Sequence, residues 1–168
     1  MNPFAIVKRV NFKHILKGIL LGMGRPLFIV PTIKATKDCI KISTTHYGKL
    51  HHKNGPANAF RHALWNYLIA KRCLKWNKKE STVSDWAKKV TDWHEEAFPN
   101  KALAKAMDLH NNAVGRFIFE TNSEKSEEEV ISILQKMTLE SVKLEENTNL
   151  SPLKDQLVTP LLMTKQGL

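Results

Sequence analysis

The chain has 168 residues, 42% hydrophobic and 25% charged, a profile that fits one globular domain around a single core and excludes disordered and collagen-like classes. Its two cysteines, Cys39 and Cys73, lie in separate segments without CxxC spacing, which argues against a disulfide framework or zinc ribbon and makes a reducing cytoplasm the expected setting. The net charge of +10 is uneven, with ten Lys/Arg against one acid in residues 1–55 and five against nine in residues 120–168; such a front suits an anionic partner, pairing with the acidic tail, or a solvated lysine-rich face.

The first element spans about Phe12 to Met23, where Phe12, Ile15, Leu16, Ile19, Leu20 and Met23 recur at helical spacing. Met1 to Val10 interleaves charges with apolar residues and does not read as a signal peptide. Lys17, Arg25 and Pro26 interrupt Ile15 to Pro31, which is too short to span a bilayer. This basic amphipathic helix suits either docking on the domain or lying on an anionic membrane surface.

Pro31 is expected in the first turn of a second helix, Thr32 to about Thr45, where its missing N–H costs nothing. His51 and His52 sit in a lysine-rich, glycine-punctuated connector and read as an exposed basic loop rather than as metal ligands. A third helix follows Asn54-Gly55-Pro56 and runs to about Trp76. On it Asn58, Arg61, His62, Trp65 and Asn66 share one face.

A fourth helix starts at Ser81 or Thr82, with Thr82-Val83-Ser84-Asp85 as an approximate capping box, and carries His94 and Glu95 near its end. Pro99-Asn100 breaks the chain before a fifth helix. There Met107, His110 and Val114 lie on the core face, while Asp108, Asn111, Asn112 and Gly115 form the adjoining stripe. Gly115 costs about 1 kcal/mol in a helix relative to Ala, which implies close approach of another backbone or of a ligand. Ser126-Glu127-Glu128-Glu129 is a capping box for a sixth helix. Beyond Glu146 an extended tail is expected to cover the domain with Leu150, Leu153, Leu157, Val158, Leu161 and Leu162. No strand pair is evident. The expected fold is all-α: basic N-terminal helices over 1–53, a core over 54–146, and a tail over 147–168.

His62, His94 and His110 fall on or beside the inward faces of three helices, accompanied by Glu95, Asp108, Arg61 and Arg116. Unpartnered buried polar groups cost about 1–3 kcal/mol each, so these residues should cluster. Three arrangements fit. In the first, His62, His94 and Asp108, joined by Glu95 or His110, ligate a divalent Zn, Fe or Mn, with Arg61 or Arg116 neutralising a phosphoryl oxygen. In the second, a histidine oriented by Asp108 or Glu95 is a general base, and Asn111, Asn112 and Arg116 hold a developing oxyanion. In the third, the set is a polar network that locks the helices together. Asn58, Trp65, Asn66 and His110 are expected as supporting residues, His110 being the most structural because it shares the Met107 and Val114 stripe.

The order His…His-Glu…Asp resembles the H…HD…D order of the HD phosphohydrolases, with Glu95 where that family has Asp and Asp108 following sooner. The joint pattern Asn-Ala-Phe-Arg-His-Ala-Leu-Trp (58–65), His94-Glu95 and Met-Asp-Leu-His-Asn-Asn-Ala-Val-Gly-Arg (107–116) resembles a bacterial helical domain family of unknown function. That family is found in small stand-alone proteins and at toxin-like C-termini. The resemblance implies an enzyme-like or effector-like role and assigns no catalytic residue.

The leading expectation is a hydrolase for a phosphoester or lipid-type anionic substrate, cytoplasmic or peripheral at the inner membrane face. The rivals are a non-catalytic module that binds an anionic membrane surface or acidic partner, and a toxin-like effector domain. Nucleic acid is disfavoured, because no RNP, helix-turn-helix or zinc-finger pattern occurs.

Overall fold

A computed structural model describes residues 11–98, 100–145 and 148–160. Among them the chain forms six helices: α1 (Phe12–Gly24), α2 (Pro26–Tyr47), α3 (Pro56–Cys73), α4 (Glu80–Ala97), α5 (Ala102–Thr121) and α6 (Glu127–Leu139). A 3₁₀ turn, Gly48–His52, joins α2 to α3. The fold is all-α, as expected.

Helix α3 is the axis of the domain. Phe60, Leu64, Tyr67, Leu68 and Ile69 are fully buried, and α3 packs against α2, α4, α5 and α6. A helix surrounded in this way can keep polar side chains only where neighbouring helices offer partners. Its closest approach is to α5. A Cβ on Gly115 would lie 2.7 Å from the Cα and carbonyl carbon of Ala63, so the glycine lets two backbones touch. That is the close approach its position implies.

Several element boundaries differ from the sequence expectation. Helix α2 begins at Pro26, the proline at its N1 position, and Pro31 lies inside it. Two prolines compete for the start; the earlier fits because the first helical N–H groups are unpaired anyway. Helix α4 begins at Glu80, and no side chain caps it. Ser84 instead turns inward, its hydroxyl donating to Glu120 Oε1 at 2.6 Å. The α6 capping box forms: Ser126 Oγ accepts from Glu129 N–H at 3.2 Å, and Glu129 Oε2 accepts from Ser126 N–H at 2.8 Å.

The apolar stripe of α1 does not face the core. Phe12, Leu16, Ile19, Leu20 and Met23 are exposed, and α1 contacts α4 through its glycine side. A Cβ on Gly18 would meet the Trp93 ring at 2.7 Å, and Trp93 Nε1 donates to His14 O at 2.8 Å. Both cysteines are free and buried. Among the described residues no ion pair joins residues 1–55 to residues 120–168, so no such pairing neutralises the basic front there.

A strand pair is present, contrary to the sequence reading. Strands β1 (Val142–Leu144) and β2 (Val158–Pro160) run parallel, Val142 opposite Val158. Three-residue strands carry too little alternation to be read from sequence. Leu144, Leu157 and Val158 are buried and Leu150 and Leu153 half-buried, so this segment does cover the domain. Leu161 and Leu162 lie outside the described residues.

Candidate functional site

The polar stripe on α3 divides among three neighbourhoods. Asn58, Arg61 and His62 line a cavity of about 190 Å³ with His94, Glu95 and Asp108. Asn66 faces α4 and α5 instead: its amide nitrogen donates to Asn112 Oδ1 at 2.7 Å, and its oxygen accepts from Thr91 Oγ1 at 3.2 Å and Arg116 Nη1 at 2.9 Å. Trp65 donates to Thr36 Oγ1 at 2.9 Å and packs edge-on to the His94 ring, centroids 5.1 Å apart.

His62 is buried at the junction of α3, α4 and α5, and its partners set its protonation. Arg61 Nη2 lies 2.9 Å from His62 Nε2. A guanidinium only donates, so Nε2 is the acceptor. Asn112 Oδ1 lies 3.1 Å from Nδ1, so Nδ1 carries the proton. The imidazole is therefore neutral. Burial, reinforced by the Arg61 charge, lowers its pKa well below the usual histidine value.

Two carboxyl groups flank this ring. Asp108 Oδ1 lies 3.3 Å from Nε2, and Glu95 Oε1 lies 3.7 Å from Nδ1. Burial raises Glu95 to about 7, Asp108 raising it further while Arg61 and Asn112 oppose. Burial also raises Asp108 to about 6 against the pull of Arg61. Asn58 bridges the charged groups, its amide nitrogen 3.0 Å from Asp108 Oδ1 and its oxygen 3.0 Å from Arg61 Nη2. Arg61 is held from behind by a bond from Nε to His51 O at 3.0 Å. Glu95 Oε1 and Asn112 Nδ2 are buried without a hydrogen-bond partner. Of these two atoms, the carboxylate oxygen is an acceptor that a cation could satisfy, and the amide N–H is not.

One ligand-type atom from each of His62, Glu95 and Asp108 lies within 4.8 Å of the other two. Two ligands about 2.1 Å from a tetrahedral zinc stand about 3.4 Å apart, close to the 3.3 Å between Nε2 and Oδ1. One imidazole and two carboxylates suit a divalent cation of the Zn, Fe or Mn type and leave coordination positions open.

The trio differs from the set expected from sequence, because Glu95 stands where His94 was placed. Adjacent helical residues point about 100° apart, and on α4 it is Glu95, 3% exposed, that turns inward. The half-buried His94 packs between Trp65 and Phe98 at the cavity edge, with burial lowering its pKa to about 4. The HD-like order would make His94 a ligand; the fold does not bring it into the trio.

Three other candidates lie away from the cavity. Asn111 donates to Val158 O and accepts from Val158 N, both at 2.9 Å, and so pins β2 to α5. His110, half-buried where Met107 and Val114 are buried, donates from Nε2 to Gln156 O at 3.0 Å. Arg116, held by Asn66, lines a different pocket with Lys88 and Glu96.

Sequence reasoning missed His52, Asn54, Phe98 and Asn100, which complete the cavity wall. Their only sequence signal is that they sit in the breaks before α3 and α5. The expected exposure of His51 is also corrected. His51 is buried, its Nε2 3.0 Å from Thr44 Oγ1, because the 3₁₀ turn folds it beneath Arg61.

The model of one protein family, described as Domain of unknown function (DUF6973), matches residues 19–142. That span contains all the residues discussed above from Arg61 to Arg116. No curated protein and no solved structure matches the chain.

Proposed function

The chain belongs to the DUF6973 family, and we propose that it is a hydrolase acting on a phosphoester or lipid-type anionic substrate, with a divalent cation held by His62, Glu95 and Asp108. The observation that carries this reading is the convergence of those three buried side chains, their ligand atoms within 4.8 Å of one another, in a cavity that Arg61 also lines. A cation held there would supply Lewis-acid chemistry. The chain's own residues do the rest. Arg61, fixed by His51 O, offers its remaining N–H groups to an anionic oxygen. The Glu95 carboxyl, raised to about 7 by burial in the absence of a cation, would be held ionised by one. Asn112 holds the His62 tautomer that leaves Nε2 free of a proton.

Metal analysis of protein purified without a histidine tag tests the reading, together with a screen of phosphomonoesters and phosphodiesters. About one divalent ion per chain is expected, lost in His62→Ala, Glu95→Gln and Asp108→Asn and kept in His94→Ala. Absence of metal from wild type even after incubation with Zn²⁺, Mn²⁺ or Fe²⁺ would remove the metal, and a silent screen would remove the hydrolase.

A second reading, peripheral attachment to an anionic membrane surface, rests on a separate observation. Phe12, Leu16, Leu20, Leu27 and Val30 are exposed on α1 and the start of α2, beside Lys13, Lys17 and Lys34. No single described helix is long and apolar enough to cross a membrane. Flotation with anionic and neutral vesicles tests it: equal recovery with both would count against it.

A further inference from the structure

Beside the polar cavity lies a second concavity of different character. It is an apolar groove of about 750 Å³ between α1, α2 and α4, walled by Ile15, Gly22, Ile29, Trp86 and Trp93. The two hollows adjoin. Phe98 lines both, and consecutive residues of α4 divide between them, Trp93 in the groove and His94 in the cavity. The Phe98 ring packs on His94 with centroids 4.8 Å apart, so Phe98 is a wall common to the groove and the cavity.

We infer that the groove holds the hydrocarbon chain of the substrate, a single-chain anionic amphiphile whose head group reaches Arg61 and the His62–Glu95–Asp108 trio past Phe98. This rests on the hydrolase reading for what becomes of the head group, but not for the binding of the chain. Three observations support it. The groove volume lies within the range of about 300–1,000 Å³ typical of small-molecule sites, which are mostly apolar with a few convergent polar groups. The one polar side chain in its wall, Thr32, has its hydroxyl occupied as acceptor for Trp86 Nε1 at 2.8 Å, so the groove offers a chain little but apolar surface. The cavity beyond Phe98 offers an anion a fixed cation: Arg61 lines it, anchored by its bond to His51 O. A free inorganic or short-chain phosphoester would use the cavity and leave the groove idle.

The test is binding of a homologous series of alkyl phosphates, butyl to dodecyl, to the full chain below their micelle-forming concentrations, followed by Trp86 and Trp93 fluorescence and by calorimetry. Affinity should rise about two- to fourfold per added methylene, the transfer of a chain from water to an apolar wall. Gly22→Leu adds bulk to the groove wall, and its Cβ position meets only the flexible Ile29 tip, at 3.3 Å. Ile19→Asp places a charge on the exposed part of the lining. Each should weaken dodecyl phosphate about tenfold or more and leave butyl phosphate unchanged. Leu27→Asp, on exposed apolar surface outside the groove lining, should change neither.

Affinity independent of chain length, or insensitive to both groove variants, overturns the inference. So does an equal loss in Leu27→Asp, which would mean adsorption to the outer face. The two proposals fail separately. Chain-length-dependent binding without turnover under any divalent cation sinks the hydrolase and leaves the groove. Turnover of short esters with a flat chain-length profile does the reverse.

Discussion

The imidazole of His62 turns its lone pair, not its proton, toward Asp108: Nε2 lies 3.3 Å from Oδ1, while Nδ1 donates to Asn112. The Arg61 guanidinium, 2.9 Å from Nε2, offsets the repulsion between these two electron-rich atoms, and a divalent cation bound to Nε2 would take over that part. A divalent ion at about 100 times its dissociation constant should therefore raise unfolding stability by about 2.7 kcal/mol. The shift should vanish in Asp108→Asn, because an amide is a far weaker ligand than a carboxylate. A shift of the same size in that variant, measured by calorimetry against a chelator control, would move the binding site elsewhere.

Arg61 lowers the pKa of both His62 and His94, after burial the next cause in each case. Arg61→Gln should move both imidazoles back toward the usual value, read by proton NMR titration. It also removes a charge-assisted anchor worth about 1.5–3 kcal/mol, so kcat/KM on an anionic ester should fall about 10- to 150-fold. Unmoved histidine titrations would show that Arg61 does not reach the rings in solution.

Glu95 contributes a pH dependence whose sign follows from its raised pKa. Between its ordinary value of 4.5 and the folded value of about 7, the folded state holds a proton that the unfolded chain has released. Its stabilising contribution is complete below about 4.5 and is lost as pH rises through about 7. In the presence of a chelator, Glu95→Gln should therefore gain on wild type in melting temperature between pH 5 and 8. His94, lowered to about 4, acts in the opposite sense: its contribution is present above 6.5 and lost as pH falls through about 4. Both proteins share it, so it cancels in the difference. A difference that is flat or falls with pH would mean Glu95 is ionised in the fold.

Gly115→Ala should be among the most damaging single-methyl changes in the chain. The new Cβ would overlap the Ala63 backbone, with the Cα and carbonyl carbon at 2.7 Å, and a main chain cannot rotate aside as a side chain can. The loss should reach about 3 kcal/mol or more, the upper end of overpacking effects. Denaturant unfolding would reveal it. A loss under about 1 kcal/mol would mean that α3 and α5 can separate.

Asn111→Ala removes both amide bonds to Val158 and leaves a buried N–H and C=O without partners, at about 1–3 kcal/mol each. The segment around Val158 should become open to limited proteolysis while metal content is unchanged. Loss of metal with no change in proteolysis would place Asn111 in the site rather than beneath the tail.

Most of the helices were legible because they are coded locally. Ser126 and Glu129 announce α6 three residues apart, and the Asn58–Arg61–His62 spacing announces one helical face. Gly115 was legible as a close approach because a glycine in a helix is otherwise a cost. The candidate site was partly legible: His62, Glu95, Asp108, Arg61 and Asn58 do meet. The local code was weakest where two candidates competed, as with Pro26 against Pro31.

By itself, the sequence determined an all-α chain with polar residues on three of its helices and the types of side chain a metal or acid–base site requires. Only the tertiary structure decided which member of each local group turns inward. It brought Glu95 rather than its neighbour His94 into the trio with His62, while both line the cavity, kept Asp108 for the cavity while giving Asn111 to Val158, and buried His51 where a solvated loop was expected. The reason is physical. Helical periodicity fixes which residues share a face, but the rotation of each helix about its axis depends on contacts made far along the chain. Here those are the Ala63–Gly115 backbone contact and the Asn111 clamp on the tail for α3 and α5, and the Thr91–Asn66 and Trp93–His14 bonds for α4.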